Sequence, residues 1–384
     1  MMRLREIPQA LVTELGHVEF KGPRGLEALE AALSVSLAVL AALAVHSDDP
    51  WWAGISAFMV TRASFALALS RGLMRIAGSV VGAILGVAAL GLFAYQPLPF
   101  CVCLFVLSGV GFFGFATSSH GYAWLIGGVT GNLVMLMAFT APQGAFTIAV
   151  DRVADVVLGT AASILVCALM PAPPEPAAPP AAAAGLTPPP LAFWRRDYGA
   201  ALQRWLPGKW LIVMHVLRGG LTVMLLPALA NWLAPVSPVT MGVTVVIVMA
   251  IPTTAILQAN TAAIIERAAH RVIGCLIGAL IGLGCLAFVG SDFLLWFALL
   301  VTGVWLCSQI QTGTTGVSYV GTQAMLAFLM SMVQSLGPPL SIGPGFERLV
   351  GVMGGLSILF VITLILSLVP MPEPAAAGTA GVAG

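Results

Sequence analysis

The side chains best equipped for chemistry in this chain are arginines at a fixed spacing. Arg71 and Arg75 open the run "RGLMRIAGSVVGAILG" (71–86), and Arg267 and Arg271 open "RAAHRVIGCLIGALIG" (267–282). Four residues apart on a helix, two guanidinium groups share one face, where their planar forks suit a carboxylate. Gly78, Gly82 and Gly86, and likewise Gly274, Gly278 and Gly282, continue the same stripe, a spacing that lets a second helix approach closely. The arginines read in two ways. They are topological anchors at the headgroups, or, with Arg62 added, an electropositive cluster at an inner mouth that concentrates and contacts carboxylate substrates.

A second set of charges lies elsewhere. Asp151-Arg152 and Glu347-Arg348 head two apolar stretches, and a charge inside such a stretch costs about 2.5 to 3.5 kcal/mol on insertion scales, so it is usually paired and functional. Asp155 follows Arg152 by three residues on the same face, which predicts an ion pair and a candidate proton-coupling carboxylate; its counterpart is Gly351. A static pair bracing the helix is the other reading. Tyr122 and Tyr319, in the polar turns "TSSHGY" and "SQIQTGTTGVSY", and Asn132 and Gln323, further along apolar segments, are candidate substrate contacts. For Asn132 a helix-helix hydrogen bond fits equally well.

These residues must be positioned by membrane-spanning helices. The chain is 59% hydrophobic and 8% charged, with a mean hydropathy of +1.01; a soluble domain carries about a quarter charged residues. About 20 apolar residues cross a hydrocarbon core. The windows predict an all-α integral membrane protein of about 12 transmembrane helices, near 26–45, 50–66, 72–94, 98–117, 121–140 and 148–170, then 212–233, 239–257, 268–289, 292–309, 317–335 and 348–369. Arg71, Arg75 and their three glycines map onto Arg267, Arg271 and theirs at an offset of 196, as do Asp151-Arg152 onto Glu347-Arg348 and Pro142 onto Pro338. The expected architecture is therefore two parallel six-helix repeats related by a pseudo-two-fold axis along the membrane normal.

The domains follow: an N-terminal cytoplasmic or interfacial segment (1–25), the first six-span repeat (26–170), a Pro/Ala-rich cytoplasmic linker ending in an interfacial helix (171–210), the second repeat (211–370) and a flexible tail (371–384). With the N-terminus cytoplasmic, 14 of the 16 Lys and Arg residues fall on or near the inner face, as the positive-inside rule requires. Both termini are then cytoplasmic. Segments 7–20 and 193–210 read as interfacial helices, and no cleavable signal is expected at the N-terminus. The six cysteines lie in apolar spans and the five histidines show no ligand spacing, so no disulfide, metal site or cofactor is expected. No P-loop and no nucleophile-base pair are found, which argues against an enzyme. No nucleic-acid partner is expected.

Each half resembles the six-span module of the fusaric acid resistance (FUSC) and aromatic acid exporter family. The resemblance rests on "WWAGISAFMV", the R-x3-R-x2-G-x3-G-x3-G run, "GYAWLIGGVTGNLV" and "DRVADVVLG". It departs at Arg62-Ala63 and Gln258-Ala259, where family members often carry Gln-Pro, and in the short linker, where longer members carry a soluble domain. The resemblance implies a bacterial inner-membrane exporter of aromatic or other weak organic acids and related toxic compounds, driven by protons and paired with a periplasmic adaptor protein; the lipid bilayer and further copies of itself are also expected partners. A passive organic-anion channel or uniporter and a non-transporting scaffold subunit of an envelope assembly fit the same residues.

Overall fold

A computed structural model of the chain describes residues 6–61, 64–170, 210–230, 237–257, 261–289, 292–334 and 343–369. Arg62, almost all of the 171–210 linker with its interfacial helix, the Gln258-Ala259 pair, Pro338 and the 371–384 tail lie outside the described residues. Every regular element among the described residues is helical. In chain order they are α1 (Ile7–Gly16), α2 (Pro23–Ala44), α3 (Trp51–Val60), α4 (Phe65–Phe93), α5 (Pro97–Thr117), α6 (Gly121–Met137), α7 (Ala145–Leu169), α8 (Trp210–Ala230), α9 (Pro238–Met249), α10 (Thr253–Leu257), α11 (Thr261–Val289), α12 (Phe293–Gln311), α13 (Ser318–Met332) and α14 (Gly343–Ser367).

Eight helices are long and apolar enough to cross a membrane by length and composition: α2, α4, α5, α7, α8, α11, α12 and α14. The chain is a multi-pass membrane protein. α3, α6 and α9 are apolar but shorter, and α13 has 15 residues. Prolines in the first turns of α2, α5 and α9 preset the helical φ where no N–H partner is needed. α9 stops at Met249, three residues short of Pro252, whose ring disfavours a helical residue before it. The windows at 50–66 and 239–257 thus hold short helices, α3 with 10 residues and α9 with 12. The opposite occurs at the arginine runs. α4 and α11 begin seven residues before the expected 72 and 268, so the arginines lie inside their helices rather than at the ends.

The glycine stripes join α4 to α6 and α11 to α13. A Cβ at Gly78 would overlap the Ala123 carbonyl and one at Gly82 that of Gly127; at Gly274 and Gly278 the obstacles are the carbonyls of Val320 and Ala324. Gly86 and Gly282 sit against Gly131 and against Phe328 and Ser331. In lipid, close backbone approach of this kind replaces the hydrophobic drive that packs soluble helices.

Between the halves the contacts are exchanged. α2 packs on α12 while α8 packs on α5, and α3 touches α13 while α9 touches α6. The short helices keep register within each half as well: Gly159 of α7 is set against Ala53, and Gly355 of α14 against Met241. Ala53 and Met241 are 188 apart, which aligns α3 with α9.

The segment read as an interfacial helix packs on the bundle. In α1, Ile7 is fully buried with Ile310, Val317 and Val320. Glu14 pairs with Arg24 at 2.5 Å and accepts the Thr315 amide at 2.7 Å. Val12, Leu15 and Phe20 remain exposed on the other side.

Candidate functional site

α3 and α9 end inside the bundle, and a helix that stops leaves its last carbonyls without partners. The arginines of the neighbouring long helices supply them. Arg71 Nε donates to the Met59 carbonyl at 2.8 Å, and Arg267 Nε to the Ile247 carbonyl at 3.1 Å. Each guanidinium also lies over a tyrosine ring: Arg71 is 4.2 Å from the centroid of Tyr122 and Arg267 is 4.1 Å from that of Tyr319. A cation near a helix C-terminus complements its dipole, and a ring face adds a cation–π contribution.

One turn deeper the second arginine of each pair is buried. Arg75 donates from Nη1 to the Tyr122 hydroxyl at 2.9 Å and from Nη2 to Ser56 Oγ at 3.3 Å. Arg271, 1% exposed, donates from Nη1 to Gln323 Oε1 at 2.5 Å and from Nη2 to Thr244 Oγ1 at 3.1 Å. Ser56 and Thr244 occupy aligned positions on α3 and α9, as do Met59 and Ile247.

All four of these arginines, with Arg348, line a cavity of about 380 Å³ between α3, α4 and α6 on one side and α9, α11 and α13 on the other. Tyr122, Tyr319 and Gln323 line it too, together with Trp51, Trp52, Ile55, Leu125, Ile126, Val129 and Leu326. Among the described residues, no acidic side chain lines it. Arg75 Nε, Arg271 Nε, Arg348 Nε and the Tyr319 hydroxyl are buried without a hydrogen-bond partner. Buried donors are usually satisfied, so this set of cationic donors in an apolar chamber suits an anion with an apolar body.

Of the candidates named from sequence, the structure brings together Arg71, Arg75, Arg267, Arg271, Tyr122, Tyr319 and Gln323, and adds Arg348 to them. Asn132 does not line the cavity; its Nδ2 donates to Ser108 Oγ and to the Gly128 carbonyl, both at 2.8 Å, which ties α6 to α5. Arg152 and Asp155 do not form the expected ion pair. Asp155 Oδ1 accepts from Ser47 Oγ at 2.8 Å, and the Arg152 guanidinium lies 3.4 Å over the Trp52 ring. The pairing fails because each side chain has a nearer partner from another element, the loop before α3 for one and α3 itself for the other. Glu347 is exposed and makes no ion pair with Arg348 among the described residues.

Sequence reasoning missed the place of Trp51 and Trp52 in the cavity lining, and the part of Ser56, Thr244 and the two short helices in holding its arginines. The signal was available in "IPTT" (251–254), where Pro252 cuts the second-half window. Short or proline-cut apolar segments at corresponding places in two halves mark binding sites in transporters.

A bundle of apolar helices around a buried, arginine-lined cavity defines the class: a multi-pass membrane protein. The family profile described as fusaric acid resistance protein-like matches residues 37–166 and 228–362. The chain belongs to this family. A segment of 153 residues, 38% of the chain, is 28% identical to the uncharacterized transporter YdhK of Escherichia coli (strain K12), and the same protein of Escherichia coli O157:H7 matches equally. The chain covers 22% of the length of these relatives. No solved structure matches. The family and the relatives' name support a membrane transporter and point away from an enzyme.

Proposed function

We propose that the protein is a secondary transporter that exports small organic anions, aromatic or other weak carboxylic acids among them, across a bacterial inner membrane at the expense of the proton gradient. The observation that carries this reading is the cavity lined, among the described residues, by five arginines and no acid, with unpartnered donors on its lining side chains. Within this reading the chain has two parallel six-helix repeats about a pseudo-two-fold axis along the membrane normal. The exchanged contacts α2–α12 with α8–α5, and α3–α13 with α9–α6, support that arrangement. The cavity sits where the two repeats meet, and the arginine–tyrosine pairs of both face it.

The substrate's carboxylate exchanges its water for guanidinium donors already held by Ser56, Thr244, Tyr122 and Gln323, so little reorganisation is needed. Its apolar body lies on Trp52, Ile55 and Leu326. Asp155, close behind this chamber on α7, is the proton-coupling carboxylate in this reading. Both termini are cytoplasmic, and a periplasmic adaptor and self-association belong to the same proposal.

The test is efflux from proteoliposomes loaded with a small panel of aromatic carboxylates, with and without an imposed pH gradient, for wild type and Asp155→Asn. Gradient-driven flux that the variant loses supports the reading. Flux that ignores both gradient and variant makes the protein a passive channel, and no flux of any carboxylate by folded protein removes the organic-anion assignment.

A further inference from the structure

The cavity has matching walls at one end and unlike walls at the other. Arg152 and Arg348 correspond at the offset of 196, and Trp52 and Thr240 correspond at the offset of 188 that also relates Ala53 to Met241 and Ser56 to Thr244. In the first half, the large indole of Trp52 lines the cavity and carries the Arg152 guanidinium stacked on its ring, so that Arg152 does not itself line the cavity. In the second half, the place of the indole is taken by a threonine packed against Gly351. With no ring to cover it, Arg348 reaches the cavity; its Nη1 meets the Met330 thioether, the Cys275 thiol is a second sulfur neighbour, and its Nε has no partner. A second replacement has the same sense. Ile126 and Gln323 correspond at the offset of 197 that relates Tyr122 to Tyr319. Because Arg271 donates to Gln323, the Tyr319 hydroxyl is left unpartnered, whereas the Tyr122 hydroxyl is occupied by Arg75.

We infer that the cavity binds its anion one-sidedly, with Arg348 as the anchor on the second-half wall and Trp52 both covering Arg152 and forming the apolar floor for the rest of the ligand. The inference rests on the proposed transport of an organic anion and specifies its site. The unpartnered Nε donors of Arg75 and Arg271 match across the cavity; to them the second-half wall adds Arg348 and the Tyr319 hydroxyl. At the matching places the opposite wall carries no charge: it presents the Trp52 indole, whose Nε1 is its one unpartnered polar atom there, and Ile126. A ligand with one anionic group and one flat apolar body fits these two walls; a ligand with two charged ends would press one of them against the indole.

The experiment is equilibrium binding of benzoate, phenylacetate, hexanoate and the dianion terephthalate to purified protein in nanodiscs, with benzamide as the neutral control. Wild type is compared with Arg348→Gln, Arg348→Lys, Arg152→Gln and Thr240→Trp, each first shown to be monodisperse. Arg348→Gln is expected to weaken monoanion binding about tenfold or more, the scale of one lost charged hydrogen bond. Thr240→Trp, which puts a ring where Trp52 stands in the other half, is expected to weaken it similarly by covering Arg348. Arg348→Lys keeps the charge and loses less, Arg152→Gln changes affinity by less than about threefold, and terephthalate binds no better than benzoate. Equal losses in Arg152→Gln and Arg348→Gln, or tighter binding of terephthalate, would overturn the one-sided site while leaving an anion transporter. Wild-type protein that binds none of these carboxylates would remove the transport reading and this inference together.

Discussion

At one end of the cavity Arg71 over Tyr122 and Arg267 over Tyr319 differ by a tenth of an ångström, and each arginine holds a carbonyl of a short helix. At the other end Arg152 is stacked on Trp52 while its counterpart Arg348 lines the cavity beside Met330. The two ends carry different burdens. Both short helices need their last carbonyls satisfied, so the residues that do this are the same twice. A single small ligand needs no second copy of its anchor, and there the two halves are free to diverge. Under the proposed function, agreement between the halves marks residues that hold the fold, and disagreement marks residues that choose the ligand.

The sharpest way to break this comparison is at the glycine stripes. Gly82→Val and Gly278→Val each place a side chain on a partner backbone carbonyl, and both are expected to abolish a monodisperse peak in size-exclusion chromatography. Gly91→Val and Gly284→Val, on the same two helices with open space around them, are expected to leave it intact. A next, smaller effect is expected from Arg71→Gln and Arg267→Gln, which lose the carbonyl bond and the ring contact together, about 2 kcal/mol each by thermal unfolding. Unequal costs would count against matching roles for the pair.

Tyrosine substitutions sharpen the difference. Tyr122→Phe removes the acceptor of Arg75 and is expected to cost about 1 kcal/mol of stability. Tyr319→Phe removes a hydroxyl with no protein partner; it is expected to leave stability unchanged and to weaken anion binding a few-fold.

The smallest effect concerns α1. Burial pushes the Glu14 carboxyl up, but hydrogen bonds from Thr315 and the Arg24 charge outweigh it and hold the group below the usual glutamate range. A lowered value means that ionised Glu14 stabilises the docked segment above the ordinary glutamate pKa, and that this contribution is lost as pH falls through the lowered value. Cleavage of the N-terminal segment by an acid-active protease is expected to rise as the pH drops below about 4, and Glu14→Gln is expected to show fast cleavage at every pH.

Helix positions and the duplicated arginine–glycine runs were legible in the sequence because spacing alone encodes a helical face and a long apolar window encodes a span. The depth of the arginines was not. Phe65 to Ser70 extends α4 by two turns before Arg71, and a rule that ends spans at charges sets the boundary at the arginine. The partners of Arg152 and Asp155 were hidden for a different reason. Local spacing joins them to each other, while Trp52 and Ser47 reach them only through tertiary packing. Asn132 shows the same limit, since Ser108 reaches it from another helix.

The exchanged packing bears on how the chain is made. Gly219 and Gly220 of α8 press against the rings of Phe112 and Phe105 of α5, and α12 covers α2. A ribosome that has finished α7 has produced a half whose two outer helices still lack their neighbours. The α5 face waits about 60 residues for α8 and the α2 face more than a hundred for α12, in lipid or under an insertion chaperone, and α1 finds Thr315 only when α12 and α13 are in place. Biogenesis of this molecule is thus a late closure in which the first half waits, and the chamber exists only after the last helices arrive.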